Sequence, residues 1–324
     1  MTIDGIIYGK MTFEEFIEEW RSDSDHITAH TSGSTGKPKT ITLDKEFVRR
    51  SALRTNSFFR ITSASRLHSC VAPDFIGGKM MAVRALEAGC RLTWETPSNR
   101  PLADAGAAGR IDLLAVVPSQ TLHMLDNMEK LPEIRAMLVG GSAIDPSLRR
   151  RIAGSGINAY ESYGMTETAS HIALRRIEAE EGWFETLGGI MVATDTRGCL
   201  EIWFPSGERF ITNDLAATDG NSRFRICGRY DHIIITGGKK VNPFEVERKI
   251  TGMIDAPFVV TSEPDVKWGR RIVLRIERAA GSTPDELPEL LSKGLREALL
   301  PWEMPKEIEI VDKLERTPNG KLKR

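Results

Sequence analysis

The sequence predicts an α/β fold in two parts, a large layered α/β domain carrying a β-rich segment and a smaller α+β unit at the C-terminal end. Three observations carry that reading. Apolar runs suited to buried strands, at 66–72, 90–94, 111–117 and 134–139, alternate with helix-like segments at 45–58, 79–88, 119–128 and 146–153. From 191 to 229 the texture changes to short runs, such as 199–204 and 223–227, separated by Asp, Asn, Gly and Thr turns. The length of 324 residues, at roughly 150 per domain, suggests about two domains.

Local chemistry justifies the elements in order. Thr12 and Glu15 can form a capping box, and Phe13, Phe16, Ile17 and Trp20 recur at helical spacing, so 12–21 reads as a short amphipathic helix. Gly89 is a stop signal after the helix ending at Ala88, and Asp145 before Pro146 is a start signal. Beyond about residue 230 come a helix opened by Asn242, Pro243 and Glu245, a strand at 272–276, a helix at 286–299 and a final strand at 308–311. The boundary is placed at 228–231, giving domains 1–228 and 229–324. No internal repeat is visible, which excludes a solenoid.

Composition excludes several classes. With 44 Lys+Arg against 45 Asp+Glu the formal charge is -1, so a general nucleic-acid coat is not expected and any bound anion must be held by a local site. The N-terminus lacks the basic start and apolar run of a signal peptide, and no apolar stretch approaches the roughly 20 residues that span a bilayer. A cytoplasmic protein without membrane insertion is expected. Cys70, Cys90, Cys199 and Cys227 show no CxxC or CxxH spacing, so they read as small core residues and thiols.

Four blocks could carry chemistry. Thr31-Ser32-Gly33-Ser34-Thr35-Gly36-Lys37-Pro38-Lys39 interleaves hydroxyls with glycines and closes on lysines. Glycines let successive N–H groups turn inward as an anion nest, and lysine adds charge. Its spacing is not that of a Walker loop, and its plain alternative is a flexible polar loop. The second block, 160–168, offers Tyr163 to stack on a purine, Thr166 to donate to a phosphate and Glu167 to hold a magnesium ion. Alone it is also a common strand-to-turn sequence. The third joins Asp214 to Arg229, Asp231 and Gly237-Gly238; an aspartate can accept both hydroxyls of a ribose and an arginine can add a charge-assisted bond. The fourth is the basic ending 316–324, which includes Lys321.

Taken together and in this order, the blocks resemble the adenylate-forming superfamily of acyl-CoA synthetases, luciferases and peptide-synthetase adenylation domains, with the match running from Thr31 to Lys321. The resemblance implies that Thr31 to Lys39 grips the β- and γ-phosphates of ATP. It puts Tyr163 on adenine beside Gly140-Gly141, gives Thr166 and Glu167 to phosphate and Mg2+, and gives Asp214 and Arg229 to ribose. Lys321 would stabilise the charge developing during adenylation, Asp231 would be the hinge of a mobile C-terminal domain, and Gly237-Gly238 would border the tunnel used by the co-substrate CoA.

Within the superfamily the sequence Tyr163-Gly164-Met165-Thr166-Glu167-Thr168-Ala169-Ser170-His171-Ile172-Ala173 is most similar to the o-succinylbenzoate-CoA ligases of menaquinone biosynthesis, in their short bacterial forms. Two departures stand out. The phosphate loop begins at residue 31, so an N-terminally shortened fold with a trimmed acyl pocket is expected. Phe75 stands near a position where many relatives carry histidine. The second carboxylate of such an acid would need donors or a cation, for which Ser170, His171, Lys79 and Arg175 are candidates. The plain readings are a satisfied interior His171 and solvated Lys79 and Arg175. The partners implied are a small carboxylic acid, ATP and CoA, and a homodimer is compatible with the sequence. The alternatives are a ligase for another carboxylic acid and a non-catalytic nucleotide-binding relative.

Overall fold

A computed structural model describes residues 2–3, 6–7, 11–30, 39–103, 109–278, 287–316 and 322. The phosphate-loop positions Thr31, Ser32, Gly33, Ser34, Thr35 and Gly36, and the C-terminal Lys321, lie outside the described residues. The chain forms two compact units, one running to Met191 and the next beginning at Val192. This division groups the β-rich segment before Arg229 with the second unit, whereas the sequence reading placed it with the first.

The first unit opens with the short pair β1 (Thr2–Ile3) and β2 (Ile6–Ile7), followed by α1 (Phe13–Arg21). The capping box forms as expected: Thr12 Oγ1 accepts from the Glu15 N–H, and the Glu15 carboxylate accepts from the Thr12 N–H. Phe13, Phe16 and Trp20 make the buried face of α1. β3 (His26–His30) and β4 (Thr40–Asp44) pair antiparallel with His30 opposite Thr40.

There follow α2 (Lys45–Phe59), β5 (Arg66–Ser69), α3 (Ile76–Ala88), β6 (Arg91–Trp94), β7 (Leu113–Val116), α4 (Pro118–Asp126), β8 (Met137–Val139) and α5 (Pro146–Gly154). β9 (Ala159–Met165), β10 (Ser170–Arg176) and β11 (Phe184–Thr186) complete this unit. Its sheet has the order β11-β10-β9-β8-β7-β5-β6. The strands from β6 through β9 are parallel, while β9, β10 and β11 are antiparallel neighbours.

Why the central strands read as unbroken apolar runs is clear from their two faces. Leu114 and Val116 of β7, with Met137 and Val139 of β8, pack against Met124 of α4 and Leu148 and Ile152 of α5. The alternate residues Leu113, Ala115 and Leu138 face the other way, onto Phe59 of α2 and Met81 and Ala85 of α3. With a side-chain period of two, a strand covered by helices on both faces has no polar side to show.

Two differences from expectation have physical causes. α3 begins at Ile76 rather than near Lys79 because Gly77-Gly78, poor helix formers by propensity, belong to it. A Cβ on Gly78 would lie 2.2 Å from the carbonyl oxygen of Ala72, so close approach of the two backbones requires glycine there. β10 escaped notice because its sequence SHIALRR mixes cations with apolar residues, yet five of its seven residues are buried.

The second unit begins with β12 (Met191–Thr194), β13 (Cys199–Trp203), β14 (Arg209–Thr218) and β15 (Arg223–Arg229), sheet neighbours in that order. Next come the hairpin β16 (Ile234–Thr236) and β17 (Lys239–Val241), then α6 (Pro243–Ile250), β18 (Phe258–Asp265), β19 (Gly269–Glu277), α7 (Leu287–Ala298) and β20 (Glu307–Val311). α6 is capped by Asn242, whose Oδ1 accepts from the Phe244 N–H. β18 and β19 are antiparallel, β19 and β20 parallel. Val246 and Ile250 of α6, Val260, Leu274 and Ile276 of the sheet, and Leu295 of α7 form one core. β18 carries Pro264 and acidic residues and lacked a clean apolar pattern, which is why only its partner was foreseen.

Candidate functional site

In the first unit the Tyr163–Ser170 block is a strand, a tight turn and a returning strand. Gly164 is opposite His171 and Met165 opposite Ser170. A Cβ on Gly164 would lie 2.1 Å from Ser170 O and 2.4 Å from His171 Cα, so this glycine lets the start of β10 press close against β9 beside the turn. The turn is tied from several sides. Thr168 Oγ1 accepts from the Met165 N–H and contacts the Ser170 carbonyl at 2.7 Å, and the Ser51 hydroxyl donates to Ala169 O at 2.8 Å. Ala169 and Ser170 adopt φ of 51° and 76°, a left-handed conformation that non-glycine residues rarely take.

This clamped geometry presents Thr166 and Glu167, both half-buried, at the tip. Among the described residues no hydrogen bond or ion pair is made by the Glu167 carboxylate. A half-buried carboxylate beside a threonine hydroxyl fits a hard divalent cation carried on phosphates. Tyr163 packs its ring 5.7 Å from that of Phe184. Gly140 follows β8, and a Cβ there would sit 2.5 Å from Ser162 Oγ. Gly140 therefore lies against Ser162, the chain neighbour of Tyr163, and Gly141 has φ of 92°.

The four residues considered for a second substrate carboxylate behave differently. Ser170 is the strained, half-buried residue just described. Lys79 is 1% exposed, with its Nζ 3.5 Å from a Glu19 carboxylate oxygen and 4.3 Å from the Phe16 ring centroid. Burial pushes its ammonium down from the ordinary lysine range, against the opposing pull of Glu19. Arg175 is buried too: its Nε donates to Glu161 at 2.9 Å, and its guanidinium also meets Glu181 and lies 4.1 Å from the Phe184 ring. Neither is a solvated surface charge. His171 is a satisfied interior histidine, with Nε2 3.0 Å from Thr55 Oγ1 and Nδ1 3.4 Å from Arg84 Nη2. Phe75 is the half-buried residue that immediately precedes α3.

Arg84 was not singled out by sequence reasoning. It is 1% exposed, and its Nε has no hydrogen-bond partner among the described residues. Nη1 reaches only the Met81 sulfur at 3.5 Å. Burial pushes this guanidinium down to about 9, still charged at neutral pH, with no carboxylate against it among the described residues. The signal was a lone cation inside the apolar stretch Met80-Met81-Ala82-Val83-Arg84-Ala85.

In the second unit Asp214 of β14 and Arg229 of β15 are direct cross-strand partners. Arg229 Nη1 donates to Asp214 Oδ1 at 3.1 Å, while its Nε and Nη2 donate to the two oxygens of Asp231 at 2.9 and 3.0 Å. This bidentate bond holds the Asp231 carboxyl below its ordinary range. One arginine thus joins the residue assigned to ribose and the residue assigned as hinge. Gly237 and Gly238 form the two-residue loop between β16 and β17, with φ of 53° and 77°. The Gly237 N–H donates to Trp268 O, and a Cβ there would meet the Trp268 ring at 2.8 Å.

No helix among the described residues is long and apolar enough to cross a membrane. Residues 16–197 match the AMP-binding enzyme family, and residues 256–321 match the AMP-binding enzyme C-terminal domain. A curated 2-succinylbenzoate–CoA ligase of Listeria monocytogenes is 28% identical over 342 residues, covering 96% of this chain and 71% of that ligase. Among solved structures, an AMP-forming acyl-CoA synthetase/AMP-acid ligase II-like protein from Dyadobacter fermentans is 33% identical, with a TM-score of 0.63 and coverage of 96% of this chain and 91% of that one. An o-succinylbenzoate CoA synthetase from Bacillus subtilis, in complex with its acyl-adenylate intermediate, has the same fold with a TM-score of 0.75 at 21% identity, covering 92% and 67% of the two chains. The family match extends over more than half of the sequence and includes the strand-turn-strand that holds Tyr163, Thr166 and Glu167: the chain belongs to the AMP-binding enzyme family.

Proposed function

We propose that the chain is a cytoplasmic, ATP- and magnesium-dependent acyl-CoA ligase acting on o-succinylbenzoate in menaquinone biosynthesis. A substrate carboxylate oxygen attacks the α-phosphorus of ATP, pyrophosphate leaves, and the CoA sulfur then attacks the acyl carbon as AMP departs. The ligase class is supported by the family match and by similarity to a 2-succinylbenzoate–CoA ligase.

In this reading Thr31 to Lys39 holds the outer phosphates, Tyr163 and Gly140-Gly141 take adenine, and Thr166 donates to phosphate. Glu167 would ligate Mg2+, which when bound neutralises charge on the phosphates. Asp214 and Arg229 take ribose. Lys321 stabilises the transition-state charge, the domain boundary lies at 228–231 with Asp231 as the hinge, and Gly237-Gly238 serve the CoA step.

The observation that carries the dicarboxylate assignment is Arg84, a fully buried guanidinium with no carboxylate against it among the described residues. An uncompensated buried cation is costly, and a substrate carboxylate would offset it. A second reading, a ligase for another aromatic or fatty acid, is favoured by Lys79 and Arg175, both already committed to protein carboxylates.

The deciding experiment is pyrophosphate release by the purified protein with ATP, magnesium and o-succinylbenzoate, with and without CoA, followed by mass detection of the thioester. Thioester formation is expected. Release only with a different acid would keep the ligase class and remove this substrate, and no release with any acid in a broad panel would favour a non-catalytic nucleotide-binding protein.

A further inference from the structure

β5 and β6 lie side by side and parallel, with His68 opposite Thr93. A strand presents alternate residues to one face, so Cys70 and Glu95 continue the face that His68 and Thr93 begin. The parallel register thereby collects a nitrogen, a sulfur and a carboxylate oxygen, all within 4.8 Å of one another. We propose that His68, Cys70 and Glu95 bind a divalent transition-metal ion of the zinc class, at a site separate from the residues assigned to adenylation.

Four observations support the assignment. His68 is 7% exposed and Cys70 is 0% exposed, so the donors are shielded from bulk water. The His68 ring is anchored through Nδ1, which stands 2.8 Å from Thr93 Oγ1; where that hydroxyl gives its proton to Leu67 O, 3.3 Å away, Nδ1 donates to it and Nε2 keeps the lone pair a metal needs. That Nε2 is buried, has no hydrogen-bond partner among the described residues, and stands 3.7 Å from Glu95 Oε2. A hydrogen-bonded second shell of this kind orients metal-ligating histidines.

Glu95 is held in place as well, since both its oxygens accept from the Leu102 N–H, at 3.2 and 3.1 Å. The charges then balance. On binding, the Cys70 thiol proton passes to solvent, and thiolate plus carboxylate neutralise a divalent ion, which a dry site requires. A site of the zinc class takes metal–donor bonds of about 2.0–2.3 Å. A cleft of about 490 Å³ borders His68 and Glu95 but not Cys70, and Arg66, Arg91, Arg100 and Arg110 also line it. A spacing search for CxxC or CxxH passes over this set because His68 and Cys70 are two apart and the third donor comes from the next strand.

The test is titration of the purified full chain with Co2+, followed by absorption spectroscopy and by competition with Zn2+. One equivalent should bind with a thiolate-to-cobalt charge-transfer band in the near ultraviolet and the strong visible bands of a four-coordinate ion, and Zn2+ should erase both. Cys70→Ser should abolish the charge-transfer band, and Cys90→Ser should leave it intact. Thr93→Val keeps every ligand and removes only the acceptor for His68, so it should weaken binding about 10–100-fold. Absence of the band in the unmodified protein, its survival in Cys70→Ser, or unchanged affinity in Thr93→Val would each overturn the proposal.

Discussion

Arg84 Nη2 lies 3.4 Å from His171 Nδ1, a buried guanidinium facing a buried imidazole. On the other side of the ring, Thr55 Oγ1 is 3.0 Å from Nε2 and donates its own proton to Ser51 O at 3.2 Å. The threonine oxygen therefore accepts from Nε2–H, and Nδ1 is left to accept from Arg84. The imidazole is neutral, and the positive charge of Arg84 is left for an anion that the described residues do not supply.

A substrate anion at that position gives the first prediction. A hydrogen bond to a charged group contributes about 1.5–3 kcal/mol, so Arg84→Met should lower kcat/KM for o-succinylbenzoate by roughly 10–150-fold. A monocarboxylic aromatic acid should lose much less. Steady-state kinetics with both acids check this, and an equal loss for the two would remove Arg84 from substrate recognition.

The same pair makes a prediction about pH. Burial, and after it the Arg84 charge, push His171 well below its ordinary range. The unfolded chain takes up a proton near pH 6.5, while the folded chain resists it to much lower pH. The unfolded state binds more protons in that interval, so this residue's contribution is fully favourable above about pH 6.5 and declines as pH falls below it. Thermal denaturation between about pH 5 and pH 8 should show His171→Gln losing less of its own stability on acidification than the unmodified protein. Parallel profiles would contradict the assignment.

How far the sequence revealed this arrangement depends on what each residue answers to. The parallel strands were legible because both faces are buried and their apolar runs are unbroken, and the caps at Thr12, Asp145 and Asn242 were legible because capping is local. β10 was hidden because its cations are buried by pairing rather than exposed, a tertiary fact that no period records. Lys79 and Arg175 deceived for the same reason. Arg84 was visible as a lone cation among apolar residues, but only its surroundings distinguish a paired charge from one awaiting a ligand.

The buried ion network around Glu161 offers a stability test. Glu161 is 4% exposed and receives both Arg149 and Arg175, which are themselves buried. Removing one partner of a buried pair leaves an uncompensated charge, at a cost of about 3–5 kcal/mol. Glu161→Gln should therefore lower the urea midpoint of unfolding by far more than Glu46→Gln, since Glu46 is exposed and its partner Arg49 is also paired to Glu87. Similar midpoints for the two variants would show that the network contributes little.

Arg229 donates at once to Asp214 and Asp231, so removing either aspartate alters the partner of the other. In the proposed cycle Asp214 serves ATP binding and Asp231 serves the change between half-reactions, and the two steps can be measured separately. Asp214→Ala should raise the KM for ATP by about tenfold or more, the loss expected from one charge-assisted bond to a ribose hydroxyl. Asp231→Pro should leave pyrophosphate release nearly intact and slow thioester formation from supplied acyl-adenylate, because a hinge must absorb a backbone rotation that proline forbids. Lys321→Ala should do the reverse, blocking pyrophosphate release while the second step continues. If Asp231→Pro and Lys321→Ala impair both steps equally, the division of labour between hinge and lysine is wrong. If Asp231→Asn also raises the KM for ATP, Arg229 depends on its bidentate partner to stay aligned with Asp214, and ribose binding and the hinge are coupled through that one guanidinium.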